Sequence, residues 1–253
     1  MGNEMTVDSD TYQGMLEKLA LKPSEGWLTD AAKSMVTTLV IGGVYSLGST
    51  VLTLNELSKM MGEQNIDKPL AEKLAREFQA QNGLDVPTKY MDHKEDPGPH
   101  YNSKTNTVGG PSEKATRTAI KKKELSGRSL SIDSPEIRLH ELGHARSFRD
   151  KTWTSKMYKR GPILGSLGAS YAAFQGRPGL AALLVILGHS PRLLEEWKAS
   201  AAAKDFLEKN LPKEQAERAY QVLNRAFKTY LYSTGGSLAA QATYGWLRKK
   251  EYL

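Results

Sequence analysis

The stretch Leu139-His140-Glu141-Leu142-Gly143-His144-Ala145 decides how the rest of this sequence is read. His140 and His144 are four apart, so on a helix they project from one face, one turn apart. Two imidazole nitrogens then reach a single zinc ion. Glu141 stands beside the first histidine, near the ion's open side. A carboxylate there can take a proton from water and hand it to a leaving amine. H-E-x-x-H on a helix carries metalloprotease chemistry for these reasons. The residues before it supply a helix start: Asp133 or Ser134 as cap, Pro135 in the first turn and Glu136 complementing the dipole. The helix is expected to run to about Arg149. Gly143 in a helix interior costs about 1 kcal/mol relative to alanine. It predicts close approach of another segment to the back of this helix.

A catalytic zinc site has three protein ligands and an open position. No third histidine follows at short spacing, since His144 leads into Ala145-Arg146-Ser147-Phe148-Arg149-Asp150. The chain has no cysteine to serve instead. His189 is one option, at the break Gly188-His189-Ser190-Pro191. The acidic pair Glu195-Glu196, early in a helix that follows an apolar hairpin, is the better one. Adjacent helical residues point about 100° apart, so one of the two is expected to bind and the other to complement the helix dipole. The residues themselves do not choose between them.

The rest of the chain, 253 residues with 39% hydrophobic and 25% charged residues, suits one substantial globular domain with appendages. A mean hydropathy of -0.50 argues against a protein made mostly of membrane spans. The N-terminus has no basic region before an apolar core, so no secretory signal is read. Met1-Gly2-Asn3-Glu4-Met5-Thr6 fits the loose myristoylation pattern. Residues 10–21 have helical spacing. Residues 34–55 are uncharged and long enough to span a bilayer as a helix, although Gly42, Gly43 and Gly48 dilute them. That run is read as membrane-embedded or as a buried core helix. Helices are expected over residues 67–82 and 113–124, and strands over 84–91, over 127–132 and within 100–110 with a turn at 102–106. Residues 92–99 read as a loop. Residues 162–174 and 179–187 are apolar and each too short to span, as expected of a buried or interfacial helical hairpin. Ser190-Pro191 should start a further helix, followed by an amphipathic one over 213–228 and an uncharged run over 229–247.

The net charge of +7 is partly concentrated in residues 114–128. A solvated face is the simplest reading, and no nucleic-acid motif accompanies the charge.

The two motifs together, Leu139-His140-Glu141-Leu142-Gly143-His144-Ala145 and Glu196-Trp197-Lys198-Ala199-Ser200, resemble those of the gluzincins. More narrowly, they are similar to the bacterial neutral zinc membrane metallopeptidases, which read H-E-[VL]-G-H-A and E-x-x-A-S. The resemblance selects Glu196 over Glu195 as third ligand. In broader relatives an Asp stands where Ser200 is. Pro99-His100-Tyr101-Asn102 resembles the family's D-H-Y-D-P segment, which implies an edge strand lining the cleft. Leu238-Ala239-Ala240-Gln241-Ala242-Thr243-Tyr244 resembles its C-terminal A-A-A-L-T-Y run. Arg177 and Gln241 depart from the family's apolar spans.

The expected fold is therefore α+β and predominantly helical, a gluzincin or zincin-like domain with a small sheet beside the H-E-x-x-H helix. The expected organisation is an N-terminal segment over 1–30, a hydrophobic helix over 31–62 and a zinc metallopeptidase domain over 63–253. By that resemblance His140, His144 and Glu196 are expected to hold Zn2+, with Glu141 as the general base. His100, Tyr101, Tyr171 and His189 are candidates for stabilising the oxyanion. The partner is a peptide or protein substrate. Membrane association is expected, with a cytoplasmic location otherwise, and no nucleic acid. The alternative is a catalytically inactive membrane-associated or scaffold protein that retains the fold.

Overall fold

The computed structural model describes residues 27–91, 98–122, 124, 126 and 129–250. The expected helix over 10–21, the myristoylation pattern and most of the 92–99 loop lie outside the described residues. Among the described residues, eight helices and three strands follow in order: α1 (Trp27–Glu63), α2 (Lys68–Asn82), β1 (Thr88–Tyr90), β2 (His100–Asn102), β3 (Thr107–Gly110), α3 (Glu113–Lys121), α4 (Pro135–Arg149), α5 (Trp153–Met157), α6 (Arg160–Phe174), α7 (Pro178–Asn210) and α8 (Lys213–Lys249). The fold is predominantly helical with one small sheet.

Local signals explain several boundaries. Asp67 caps α2 through its carboxylate and the Leu70 N–H, and Gly83 ends it in the left-handed conformation at φ 59°. The α2 face bearing Leu74, Ala75 and Phe78 enters a core shared with Leu139, Leu142, Phe206, Leu207 and Leu223. Phe78 meets Phe206 edge-on at 5.3 Å. This core fixes α4 against α2, α7 and α8.

The sheet has the order β1-β3-β2. β1 pairs parallel to β3, with Thr88 opposite Val108, and β2 pairs antiparallel to it, with His100 opposite Gly109. The Asn102 side chain accepts the Lys104 N–H, and Asn106 adopts φ 50°, closing the turn between β2 and β3. No strand forms at residues 129–132. Their backbone groups bond elsewhere: Gln64 donates to the Ser129 carbonyl and accepts the Ser131 N–H, and the Ile132 N–H reaches the Pro111 carbonyl.

Two further expectations are corrected. Pro191 does not start a helix but sits inside α7. Proline cannot donate to the carbonyl four residues back, and here the Ser190 hydroxyl donates to that Leu187 carbonyl at 3.0 Å. Likewise residues 213–228 and 229–247 form one helix, α8. Residues 34–55 lie within α1, but no helix among the described residues is long and apolar enough to cross a membrane. Nor is this run a core helix: Val40, Val44, Leu47 and Val51, spaced three and four apart, are all exposed.

Those residues belong to a layer formed by α1, α6, the first half of α7 and the second half of α8. Its charge-free segments, residues 34–55, 161–174, 178–191 and 229–247, pack side by side. The interior is built of small residues: Ala169, Ala172, Ala173 and Ala181 pack with Val185 and Tyr244. Gly165 and Gly188 bring α6 and α7 together so closely that a Cβ on Gly165 would stand 2.6 Å from the Gly188 Cα. Polar groups also point inward, with the Tyr45 hydroxyl 3.0 Å from the Thr243 hydroxyl across α1 and α8. Ile163, Leu164, Leu167, Leu183, Ile186 and Leu187 face outward.

Candidate metal centre

α4 is buried along almost its whole length, from Pro135 to Ala145. Three anchors hold it. Arg138 donates to the Ile132 carbonyl and to Asp133, which also accepts from Tyr90 and from the Glu113 N–H. Glu136 accepts the Asn65 N–H at 2.9 Å. Burial raises the Glu136 carboxyl above its ordinary pKa. The third anchor is α7, which crosses the back of α4 at Gly143. A Cβ on Gly143 would stand 2.7 Å from the Ala199 carbonyl oxygen and 2.8 Å from its Cα. The glycine is there because backbone meets backbone.

This crossing sorts the acidic pair. Glu195 points to the back of α4, where Ser147, Thr154 and Lys198 donate to it. Burial by itself raises a carboxyl, but these donors hold Glu195 below the ordinary range. Glu196 points to the front. Its Oε2 lies 3.3 Å from the His140 Nε2 and 3.3 Å from the His144 Nε2. His140, His144 and Glu196 are all buried and could hold a metal ion, with one ligand atom from each lying within 4.8 Å of the others.

The two spacings from Glu196 to the imidazoles are those that a tetrahedrally held metal ion would give. Four donors placed tetrahedrally at about 2.0–2.1 Å from an ion stand about 3.3–3.4 Å from one another. The Glu196 Oε2 keeps that spacing to both imidazoles, yet it has no hydrogen-bond partner. Lone pairs converging without a hydrogen bond suit an ion between them. The His140 Nδ1 lies 3.2 Å from the Ser200 hydroxyl, a contact that orients the ring and leaves Nε2 facing the cluster. Electrostatically the cluster is tight. Burial opposes both charges, yet Glu196 draws the His144 pKa up and the imidazoles draw the Glu196 pKa down.

Glu141, next in the helix to His140, is buried and acts electrostatically on His144 and Tyr158. Tyr158, between α5 and α6, donates its hydroxyl to Glu196 Oε1. Its ring meets His144 edge-on at 5.8 Å and Phe148 at 5.5 Å. Burial, and then the Glu196 carboxylate, raise the Tyr158 pKa, so this phenol keeps its proton.

Of the sequence candidates for an oxyanion donor, Tyr171 is exposed on α6 and His100 bonds the Gly98 carbonyl through Nδ1. The Tyr101 hydroxyl donates to Asn106. His189 is buried with Nδ1 against the Thr234 hydroxyl. Tyr158 was missed, and so was Arg192, one helical turn before Glu196. The signal for Arg192 was the four-residue spacing; for Tyr158, in the short α5–α6 connection, sequence held none. Comparison of the chain with protein-family models, curated proteins and solved structures gives no match.

Proposed function

We propose that the protein is a zinc-dependent endopeptidase of the gluzincin type. The observation that carries this reading is the buried convergence of His140, His144 and Glu196 with Glu141 next to it on α4. An ion held there would polarise the scissile carbonyl and acidify a bound water. Glu141 takes one proton from the attacking water as the oxygen bonds to the carbonyl carbon. It returns that proton to the amide nitrogen as the carbon–nitrogen bond breaks. The Tyr158 hydroxyl donates to Glu196 Oε1; turning that single O–H to the developing oxyanion during the reaction would stabilise the new charge. β2 supports the reading from the side. It is an outer strand of the sheet, and its Tyr101 ring packs on Phe148 of α4 at 5.9 Å. An extended peptide can add to such an edge.

The test is metal content and hydrolysis together. Purified protein should carry near-stoichiometric zinc. Glu141→Gln should keep the metal and lose about 10²–10⁴-fold in hydrolysis of an unfolded protein substrate, whereas His140→Ala should lose the metal. Folded protein that stays metal-free in zinc-containing buffer ends this reading. Zinc-loaded protein without chelator-sensitive cleavage leaves the inactive scaffold.

We propose also that the outward surface of the helical layer meets lipid. Large apolar side chains face out while alanines and polar groups face in, the reverse of a helix packed in water. The charge-free segments are about 20–30 Å tall as helices, close to a hydrocarbon core. Arg160 marks one end, and Arg177, Arg248 and Lys249 mark the other. The apolar surface belongs to the assembled layer, which no single helix supplies. The protein should float with phospholipid vesicles, and Leu167→Glu with Leu183→Glu should release it. Full recovery of the unsubstituted protein in the unbound fraction refutes the placement.

A further inference from the structure

Arg192 is a charge that the metal centre does not use. It stands four residues before Glu196, on the same face of α7. Its guanidinium carbon lies 5.7 Å from the Tyr158 ring centroid and 4.8 Å from that of Tyr230. Two aromatic rings therefore hold the planar cation at the edge of the cluster. The acids next to it in the helix are engaged elsewhere: Glu195 with Lys198 and Glu196 with the two histidines. No ion pair involves Arg192 among the described residues. Its Nε is buried without a hydrogen-bond partner, and so is Nε2 of His189, one turn earlier. His189 is only 7% exposed. Unpaired buried polar groups cost about 1–3 kcal/mol each unless a ligand takes them.

Charge accounting points the same way. Tyr158 and the Glu196 carboxylate stabilise the Arg192 charge, but a divalent ion would engage Glu141 and Glu196, which leaves Arg192 without a carboxylate of its own. Tyr158 stands between Arg192 and the ligand carboxylate, so the guanidinium is one side chain removed from the reacting carbonyl. It is not placed as an oxyanion donor.

We infer that Arg192, clamped by Tyr158 and Tyr230, is a specificity-determining residue that binds a carboxylate of the substrate beside the scissile bond. The inference rests on the peptidase reading. The planar fork of arginine matches a carboxylate with two parallel hydrogen bonds, which neither lysine nor a neutral donor reproduces. The carboxylate has two sources, the free C-terminus of a peptide or an acidic side chain.

Zinc-loaded Glu141→Gln protein, which binds without turnover, separates these. Three peptides of one sequence serve as probes: the C-terminal acid, its amide, and the amide with an aspartate next to the cleavage position. The acid or the aspartyl amide should bind about ten- to hundredfold tighter than the plain amide, and which of them does so names the source. Arg192→Gln on the same background should remove the difference and leave the plain amide's affinity and the zinc content unchanged. Arg192→Lys should restore part of it. Equal affinities for all three peptides, or no binding of any, overturn the inference. Hydrolysis by the unsubstituted protein is scored separately. Cleavage without carboxylate preference sinks the role of Arg192 alone, and carboxylate preference without cleavage sinks the peptidase reading alone.

Discussion

Leu139 of α4 is fully buried, whereas Leu167 of α6 is 66% exposed, and the contrast extends to the regions around them. Around the metal centre, large apolar residues such as Phe78, Leu139, Leu142 and Leu207 point inward, and ion pairs decorate the outside, as with Arg218 and Glu214 on α8. In the helical layer the arrangement is reversed, with alanine inside and leucine outside. Both regions are held by close helix contacts. In the first, area removed from water drives the packing. In the second, small residues let backbones touch, and most of the large apolar side chains, Val185 and Tyr244 apart, lie outside the buried cluster. The difference teaches that one chain holds two kinds of helix packing, and the proposed lipid-facing surface rests on the second.

Substitutions can break or sharpen this comparison. The largest expected effect is on the core leucine: Leu139→Ala should cost about 2–5 kcal/mol of stability, while Leu167→Ala should stay within about 0.5 kcal/mol. Chemical unfolding of both variants in one detergent measures this, and equal losses would erase the distinction. Next comes Glu195→Gln, which weakens charged hydrogen bonds to Ser147, Thr154 and Lys198 and should cost about 1.5–3 kcal/mol near neutrality. Because the folded-state pKa of Glu195 is lowered, its contribution is present above the ordinary carboxylate range and lost as pH falls through the folded value. Melting curves over an acid series should therefore converge for the variant and the parent. A gap that widens toward acid contradicts the assignment.

Gly143→Ala should cost about 1–3 kcal/mol, because its Cβ meets the Ala199 backbone. It should also weaken zinc binding, since α7 carries Glu196. Gly179→Ala, with nothing within 4 Å, is the matching control in the layer. The smallest effect is expected for Ser200→Ala, which removes the contact to His140 Nδ1 and should weaken zinc about tenfold. Titration against a chelating indicator reads it, and unchanged affinity would show that the hydroxyl does not orient the ring.

Much of the metal-centre half was legible because its signals are local. The four-residue spacing puts His140 and His144 on one face, and Asp67 and Gly83 bound α2 through their own side chain and conformation. Other features depended on partners distant in sequence. Residues 129–132 read as a strand, but Gln64 takes their backbone groups. Pro191 read as a helix start, but Ser190 covers the carbonyl that proline leaves free. Residues 34–55 read as a membrane span or a core helix. Val40, Val44, Leu47 and Val51 share a helical period, but that they face outward and Tyr45 inward was set by the contact with α8, which the local period does not encode.

By itself the sequence determined a helix presenting two histidines and a carboxylate, since helical periodicity is a property of neighbouring residues. It also predicted a segment close to Gly143, since a helix-interior glycine costs about 1 kcal/mol relative to alanine. Which backbone that was the tertiary structure decided, and it aims Glu196 at the histidines, a choice that spacing left open and only the family resemblance implied. Adjacent residues on a helix are equivalent until a crossing assigns one to the front and the other to the back. Tyr158, Arg192 and Tyr230 came together for the same reason: three segments converge there, and convergence is a property of packing.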